Sequence, residues 1–270
     1  MITEDPSNEL SAETLKKFNF SSIIIAKNEE SNIRRCIESQ LGCIDEIILL
    51  LDEESTDKTY EIAISYPTVK ASFAKWKGYS ETKKNALLLT THDWVLWIDA
   101  DEAITKELKE EIIKLKESTQ FFAAYSMPRK ANFLGKWIKH SGWYPGRVIR
   151  LFNKNFVFFN SQSVHEDLHV NGKTGKLNND LEHYTDPSVS HYFMKFNNYT
   201  TLAANDLIKK GRVFHLSDLI LRPIAIFIKM YFIKLGFLDG LQGFILAVFS
   251  SAYVFTKYSK FWELTRKGSL

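Results

Sequence analysis

The chain has 270 residues, of which 45% are hydrophobic and 25% are charged, and its formal net charge is +3. This apolar content excludes a wholly disordered chain, and the length fits one large domain or one domain with an appendage. The two cysteines, Cys36 and Cys43, are too few for a disulfide framework and lack the companions that a zinc site needs.

The chain begins with a polar, acidic segment over residues 1–18. We expect this segment to form a flexible N-terminal extension. Because it contains no apolar signal-peptide core, a cytoplasmic location is also expected.

Residues 19–125 alternate between short apolar runs and helical patterns. Strands are predicted over 20–26, 45–51, 69–74 and 93–98. Helical patterns follow each strand, around residues 33–41, 56–65, 83–85 and 104–115. Continuously apolar strands that alternate with helices are typical of βαβ units. This half is therefore expected to be α/β, with a mostly parallel sheet flanked by helices.

Polar clusters follow three of these strands, at residues 27–30, 52–57 and 99–102. In open α/β sheets, ligands bind beyond the carboxyl ends of the strands. We therefore expect the three clusters to meet in one ligand-binding crevice.

The sharpest signal is the pair Asp99 and Asp101, which directly follows the strand 93–98. Both carboxylates can bind one Mg²⁺ or Mn²⁺ ion, since these cations prefer oxygen ligands and leave positions for phosphate oxygens. The alternative is a solvated turn that caps the next helix.

Other crevice residues are weaker candidates. Asp52 can accept hydrogen bonds from a uracil edge or a ribose hydroxyl. Asn28 and Glu29 follow the first strand, and Lys84, with its neighbour Lys83, can reach a diphosphate. Each also has a structural interpretation, because acidic and amide residues often cap helices and lysines often lie on solvated helix faces.

The pattern changes in the second half of the chain, over residues 126–205, which is rich in aromatic, glycine and basic residues. A strand is predicted over 121–127. Residues 148–152 and 156–159 are predicted to form a short antiparallel pair.

Residues 206–270 form the most apolar part of the chain, and from Lys209 onward they contain ten basic and three acidic residues. This combination favours amphipathic helices that lie on an anionic membrane surface, and it disfavours nucleic acid as a partner. A buried helical hairpin and a two-span membrane anchor are the alternatives.

Four motifs carry a family resemblance: IIIAKNEE from Ile23, DEIILLLDEESTDKT from Asp45, KNAL from Lys84 and DWVLWIDADE from Asp93. They resemble the nucleotide-binding half of inverting family 2 glycosyltransferases, over about residues 20–118. The later FLGKWIKHSGWYPGRVIRLFNK, VHEDL and GFLDGLQGF are similar to bacterial lipopolysaccharide core glycosyltransferases. Two departures are Glu53-Glu54, where related sequences carry Ser-Gly, and Lys84, where they carry arginine.

The resemblance implies a GT-A fold and an inverting transfer of a hexose from a nucleotide diphosphate sugar, with a UDP-sugar as the expected donor. It implies donor contacts from Ala26, Asn28, Glu29, Asp52, Lys84 and Asp99. It also implies a Mn²⁺ or Mg²⁺ ion at Asp99 and the catalytic Asp101, and a glycolipid acceptor, of the lipopolysaccharide core or a related surface glycan. With the basic apolar tail, it implies a peripheral enzyme on the inner membrane face.

An inverting transfer needs one general base. Glu166 is the candidate, with Asp167 as its substitute. The alternative is a surface glutamate that pairs with Arg147 or Arg150. His183 is a candidate third metal ligand, and its alternative is a structural histidine.

The acceptor is expected to bind in the half over 126–205. Trp143 can stack on a sugar ring, as can Trp137 and Tyr144. Arg147 and Arg150 can hold acidic groups of the acceptor.

Two other functions stay open. A sugar-1-phosphate nucleotidyltransferase would want a glycine-rich loop after the first strand, and residues 26–30 contain no glycine. A non-catalytic membrane-bound adaptor of the same fold is the second, and the intact pair of Asp99 and Asp101 disfavours it.

Overall fold

The computed structural model describes residues 18–75, 79–118, 122–159 and 168–267. All but the last residue of the expected N-terminal extension lies outside the described residues.

The described residues form twelve strands and seven α-helices. The strands are β1 Phe20–Ala26, β2 Glu46–Asp52, β3 Val69–Ala74, β4 Trp94–Trp97, β5 Glu102–Ile104, β6 Ala124–Phe133, β7 Lys136–Trp137, β8 Gly146–Asn153, β9 Val157–Phe159, β10 Leu168–Val170, β11 Thr174–Lys176 and β12 Leu181–Asp186. The helices are α1 Ile33–Gln40, α2 Thr59–Ile64, α3 Tyr79–Leu88, α4 Lys106–Lys116, α5 Val189–Lys209, α6 Leu216–Ile228 and α7 Gly240–Lys267.

One large sheet organises the chain, in the order β3-β2-β1-β4-β8-β6-β12-β5. The strands β3, β2, β1 and β4 are parallel to one another, whereas β8 is antiparallel to both β4 and β6. The predicted parallel α/β half is therefore confirmed, and β8 and β6 extend its sheet into the second half of the chain.

Both faces of the parallel strands β1, β2 and β4 are buried, which explains their continuously apolar sequences. In β1, Ile24 packs into a cluster with residues of α1, α2 and α4, whereas Ile23 packs into a second cluster with Ala86 of α3. Successive side chains of a strand point to opposite faces, so each face needs its own apolar residues. Burying one isoleucine or leucine side chain contributes about 1.5–3 kcal/mol.

The antiparallel pair predicted between 148–152 and 156–159 is wrong. Strand β8 lies between β4 and β6, and β9 pairs with β10 instead. The reason is that β8 is apolar on both faces, with Leu151 in one core cluster and Phe152 in the other, so it belongs inside the sheet. A 3₁₀ turn over Lys154–Phe156 then directs the chain away from the sheet.

The C-terminal helices form a separate layer in which α7 packs against α5 and α6. Helix α5 begins at Val189 and runs across the expected boundary between 205 and 206. A π-helical turn over Lys229–Ile233 and a 3₁₀ turn over Gly236–Asp239 connect α6 to α7. Among the described residues, only the helical stretch Gly236–Arg266 is long and apolar enough to cross a membrane, by length and composition alone.

Candidate active site

The loops that follow β1 and β2 are hydrogen-bonded to each other. The Asn28 side-chain oxygen accepts a hydrogen bond from the Thr56 backbone N–H at 2.8 Å, and the Glu29 N–H donates to the Thr59 hydroxyl at 2.8 Å. Asn28 has a φ of 55°, in the left-handed region that asparagine tolerates better than most residues. Asn28 therefore shapes the crevice wall through its own side chain.

Asp52, at the end of β2, is buried beside Lys27. One carboxylate oxygen of Asp52 accepts from the Glu54 N–H at 2.9 Å, and the Lys27 Nζ lies 3.3 Å from the other. Lys27 also reaches Glu54 at 2.5 Å. Glu54, which replaces a glycine of related sequences, has no left-handed backbone and instead adds a second carboxylate beside Lys27. Ala26, the last residue of β1, is buried beneath this loop.

Asp101 lies beside His183, the candidate third metal ligand. Asp101 follows β4, and its Oδ2 lies 3.3 Å from the His183 Nε2 on β12. The Tyr184 N–H donates to the Asp101 carbonyl oxygen at 2.8 Å, which fixes this strand against the turn. Glu29 faces the same region: burial raises the pKa of Glu29, and the charge of Asp101 raises it further. Two of the three predicted strand ends thus meet around Asp101.

Asp99 forms an ion pair with Arg150 of β8. Burial acts to raise the pKa of Asp99, but the positive charges of Arg150 and Lys83 outweigh it and lower the pKa. The Asp99 side chain keeps 42% of its surface exposed, so a ligand in the crevice can reach it.

Glu102 is the residue that the sequence did not reveal. It is fully buried, and its carboxylate accepts hydrogen bonds from the Asp99 N–H at 3.0 Å, from Arg150 at 2.7 Å and from Arg129 at 3.3 Å. Burial raises the pKa of Glu102 and Arg150 opposes the rise. Glu102 therefore fixes both the backbone of Asp99 and the guanidinium that faces it.

The arginines predicted to hold acceptor groups are engaged by the protein itself. Arg150 is buried between Asp99 and Glu102, and its guanidinium lies 5.4 Å from the centre of the Trp97 ring. Arg147 donates to the backbone carbonyl oxygens of Ser126 at 2.7 Å and Leu177 at 2.6 Å.

Trp143 packs edge-on against Phe133, with ring centres 6.0 Å apart. Both belong to an apolar cluster with Met230, between the loop over 134–145 and the C-terminal helices. Tyr144 donates to Asp180 at 3.0 Å, and the Trp137 ring meets Tyr184 edge-on. A role of Trp143 in acceptor binding stays a prediction.

A cavity of about 370 Å³ opens next to Arg150, the ion-pair partner of Asp99. It is lined by Lys83, Trp97, Arg129, Val148, Ile149, Arg150 and Leu168. The Lys83 Nζ lies 3.5 Å from the centre of the Trp97 ring, whereas Lys84 is exposed on the surface of α3. Of the two lysines that were predicted to reach a diphosphate, Lys83 lines the cavity and Lys84 does not. The spacing of Lys83 from the buried Ala86 and the half-buried Leu87 could have indicated this, because residues three and four apart share a helix face.

The chemistry of the carboxylates at the end of β4 fits a divalent cation in part. Asp99 and Asp101 offer oxygen ligands and His183 a nitrogen, but within the described ranges no group of three His, Cys, Asp or Glu residues is arranged as a complete metal site. One or two carboxylates are what Mg²⁺ takes from a protein when substrate phosphates supply further ligands. The residues therefore suit an ion that binds together with a phosphate-bearing ligand.

The predicted base Glu166, its substitute Asp167 and the neighbouring His165 lie outside the described residues. The described residue nearest to them is Leu168, which lines the cavity beside Trp97 and Arg150.

Comparison with known proteins gives consistent matches. The family model described as Glycosyl transferase family 2 matches residues 21–179. An uncharacterized glycosyltransferase of Rickettsia typhi is 33% identical over 92% of this chain and 88% of its own length. The lipopolysaccharide core biosynthesis glycosyltransferase LpsC of Rhizobium meliloti is 28% identical, over 92% of this chain and 94% of its own length.

A solved structure with the same fold is a mannosyltransferase of Pyrobaculum calidifontis in complex with GDP-mannose and Mn²⁺. The match has a TM-score of 0.54 and covers 90% of this chain and 87% of that chain, with 10% sequence identity. At this identity the likeness establishes the fold, which is the predicted GT-A type.

Proposed function

The chain belongs to glycosyltransferase family 2, and from this premise we propose that it moves a hexose from a nucleotide diphosphate sugar to a lipid-linked saccharide, with inversion at the anomeric carbon. The observation that carries the proposal is the meeting of Asp99, Asp101 and His183 at the carboxyl edge of the sheet, beside a cavity lined by basic side chains.

The donor is proposed to lie along the loops after β1 and β2. Asp52 is the proposed partner of the base or the ribose, and a UDP-sugar is the expected donor. Ala26, Asn28 and Glu29 are the proposed donor contacts from the loop after β1. Lys83, rather than the exposed Lys84, is the lysine whose position in the cavity suits a contact with the diphosphate.

Asp99 and Asp101 are the proposed ligands of Mn²⁺ or Mg²⁺, with His183 beside them. When bound, such an ion neutralises the charge that develops on the departing diphosphate. The protein prepares this site itself, because Glu102 and Arg150 hold Asp99 in place. The GDP-mannose and Mn²⁺ named for the Pyrobaculum structure are consistent with this assignment.

The general base is proposed to be Glu166. Its carboxylate would take the proton of the acceptor hydroxyl as that oxygen bonds to the anomeric carbon, while the bond from this carbon to the diphosphate oxygen breaks on the opposite face. Support for Glu166 comes from Leu168, two residues further on, which lines the cavity.

The acceptor is proposed to be a glycolipid, of the lipopolysaccharide core or a related surface glycan. The similarity to LpsC over most of both chains supports this class. An enzyme with this acceptor would work as a peripheral protein on the cytoplasmic side of the inner membrane. The nucleotidyltransferase alternative is set aside because the family match describes glycosyl transfer.

The test is an incubation of the full chain with a panel of UDP- and GDP-sugars, Mn²⁺ and a bacterial glycolipid extract. We expect release of nucleoside diphosphate that depends on one donor and on the extract, with a new glycosidic linkage of inverted configuration by NMR. Retention of configuration would contradict the proposed mechanism. Donor binding without turnover in any extract would favour the adaptor alternative.

A further inference from the structure

An exposed cluster of aromatic rings lies at the connection between α6 and α7. Tyr231 contacts Phe232, Phe237 and Phe244 with ring centres 5.1, 6.2 and 5.6 Å apart, and it stacks on Phe227 at 5.5 Å. The three outer rings, Phe232, Phe237 and Phe244, are between 43 and 55% exposed. We name these five residues the aromatic tip. Because each of the other four rings contacts Tyr231, the five residues form one continuous patch.

Aliphatic side chains extend this patch. Ile233, Leu238 and Leu241 are 55 to 68% exposed, and each is next to or four residues from a ring of the tip. Contiguous exposed apolar surface of this kind marks an interaction site, because water disfavours it. Within the stretch Gly236–Arg266, only 22% of the most apolar window is buried in the protein. In the core helix of a soluble protein, most of such a window would be buried.

The charges around the tip indicate the chemistry of the partner. No aspartate or glutamate occurs from Leu219 to Leu238, whereas Lys229 and Lys234 fall within this stretch. Arg222 also lies in it but pairs with Asp218, near the start of α6. The next acidic residue, Asp239, is 3% exposed. Exposed apolar groups that are flanked only by basic ones suit an anionic lipid surface, where rings enter the headgroup region and lysines reach phosphates.

The far end of α7 shows how the helices can sit on such a surface. Lys260 donates to the Asn197 carbonyl oxygen at 2.8 Å, to the Asn197 side chain at 2.9 Å and to the Thr200 hydroxyl at 2.8 Å. These bonds hold the second half of α7 on α5, away from the tip. A helix held along α5 in this way suits insertion of its near end into one leaflet better than a span across the bilayer.

We propose that the aromatic tip docks the protein on an anionic bilayer by entering its interface. The tip is also tied to the loop over 134–145, because the Ser141 N–H donates to the Lys234 carbonyl oxygen at 2.9 Å. Docking therefore places this loop, which carries Trp137 and Trp143, at the membrane surface. The view that a glycolipid acceptor is met there rests on the proposed function, but the docking does not.

The test is co-sedimentation of the full chain with phosphatidylcholine vesicles and with vesicles that also contain phosphatidylglycerol, in a ratio of roughly 2:1. We expect binding to the anionic vesicles that weakens as salt is added. The triple change I233S/L238S/L241S is expected to lower the partition coefficient about tenfold or more. The matched control I64S/L88S/L89S changes three exposed aliphatic residues on α2 and at the end of α3, and it should bind like the unmodified chain.

Circular dichroism shows whether each variant is folded, and light scattering shows whether it is a monomer or a dimer. A tip variant that is folded yet binds vesicles as well as the unmodified chain overturns the proposal. The proposal is also overturned if the unmodified chain does not bind vesicles and instead forms a dimer in solution that the tip variant abolishes. The tip would then be a contact between two copies. Resistance of the membrane-bound chain to carbonate extraction would indicate a spanning helix and also contradict it. Donor hydrolysis in solution, measured on the same variants, reports separately on the proposed function.

Discussion

At the scale of single residues, the candidate site depends on how one buried glutamate arranges two other groups. Glu102 holds the Asp99 backbone and the Arg150 guanidinium at the same time. Asp99 is thereby held in a fixed position, with a lowered pKa that keeps it ionised at neutral pH. Such a carboxylate is prepared for a cation without further proton loss.

The first prediction concerns Asp101. Asp101→Asn is expected to lower the turnover of the donor about 100-fold or more, because it removes one of the two proposed oxygen ligands of the metal. The unfolding free energy should change by no more than about 1 kcal/mol, because Asp101→Asn keeps the shape of the side chain and removes one ion pair with His183. Asp93→Asn, at the opposite end of β4, is the control and should leave turnover unchanged. Full activity of the Asp101 variant would refute the metal role.

The second prediction concerns Glu102. Glu102→Ala is expected to destabilise the protein by about 3–5 kcal/mol, because it leaves the buried Arg150 with one carboxylate partner fewer. Urea unfolding measures this loss. Glu117→Ala, an exposed change at the end of α4, should cost less than about 0.5 kcal/mol. Equal stability of the two variants would show that Glu102 does not support the site.

Sequence reasoning at this scale succeeded where the signal is local. Asp99 and Asp101 follow a strand directly, and their position could be predicted from the residues beside them. Glu102 and Arg150 could not be paired, because their contact exists only if β8 lies next to β4. The sequence contains no marker for that neighbourhood.

At the scale of elements, a polar network around Glu46 joins the parallel strands at their amino-terminal ends. Its carboxylate accepts hydrogen bonds from Ser21 at 2.7 Å, Lys70 at 2.6 Å and the Thr91 N–H at 2.9 Å. Burial acts to raise the pKa of Glu46, but these donors outweigh it and lower the pKa to about 2. The network connects β1, β2 and β3 at the ends away from the site.

The third prediction follows from this pKa. Because the folded-state pKa of Glu46 lies below its ordinary value of 4.5, its stabilisation is complete above that value and is lost as the pH falls toward 2. Glu46→Gln is expected to cost about 1–2 kcal/mol at pH 7, a moderate figure because its partner Lys70 is exposed. The free energy of unfolding, measured with urea between pH 7 and pH 3, should then fall less steeply with falling pH for the variant. An unchanged acid slope would contradict this account.

Prediction was accurate for the parallel strands and for the existence of β8, and it failed for the pairing of β8. The strands β1 and β2 are short apolar runs followed by turns, so the runs and their flanking turns are sufficient. The apolar run of β8 gave the same signal, but its partners are distant in sequence, and the nearby run of β9 was assigned to it instead. Strand existence is local information, whereas strand pairing is not.

At the scale of the whole molecule, Asp239 connects the helical layer to the loop over 134–145. It lies just before α7 and accepts hydrogen bonds from the Lys139 N–H at 3.2 Å, the His140 N–H at 2.9 Å and the His140 ring at 3.0 Å. The two sides of this contact lie in the motifs KWIKHSGW and GFLDGLQGF. We name the contact between them the joint. Their similarity to related sequences gave no indication that they touch.

The fourth prediction tests this joint. Asp239→Ala is expected to speed hydrogen exchange at the backbone amides of Lys139 and His140, because both lose a buried acceptor. Mass spectrometry of the peptide over 134–145 measures the effect. Asp218→Ala is the control, because its carboxylate pairs with the exposed Arg222 on the same helical layer. Equal exchange in both variants would show that the joint does not depend on Asp239.

The central claim is that Asp99 and Asp101 bind a divalent cation together with the diphosphate of a nucleotide. Its most direct measurement is the free Mn²⁺ signal in electron paramagnetic resonance, titrated with protein in the presence of UDP or GDP, against the same mixture without protein. We expect the unmodified chain to remove the free-ion signal in a nucleotide-dependent way and D99A/D101A not to remove it. Equal removal of the signal by the double variant would contradict it.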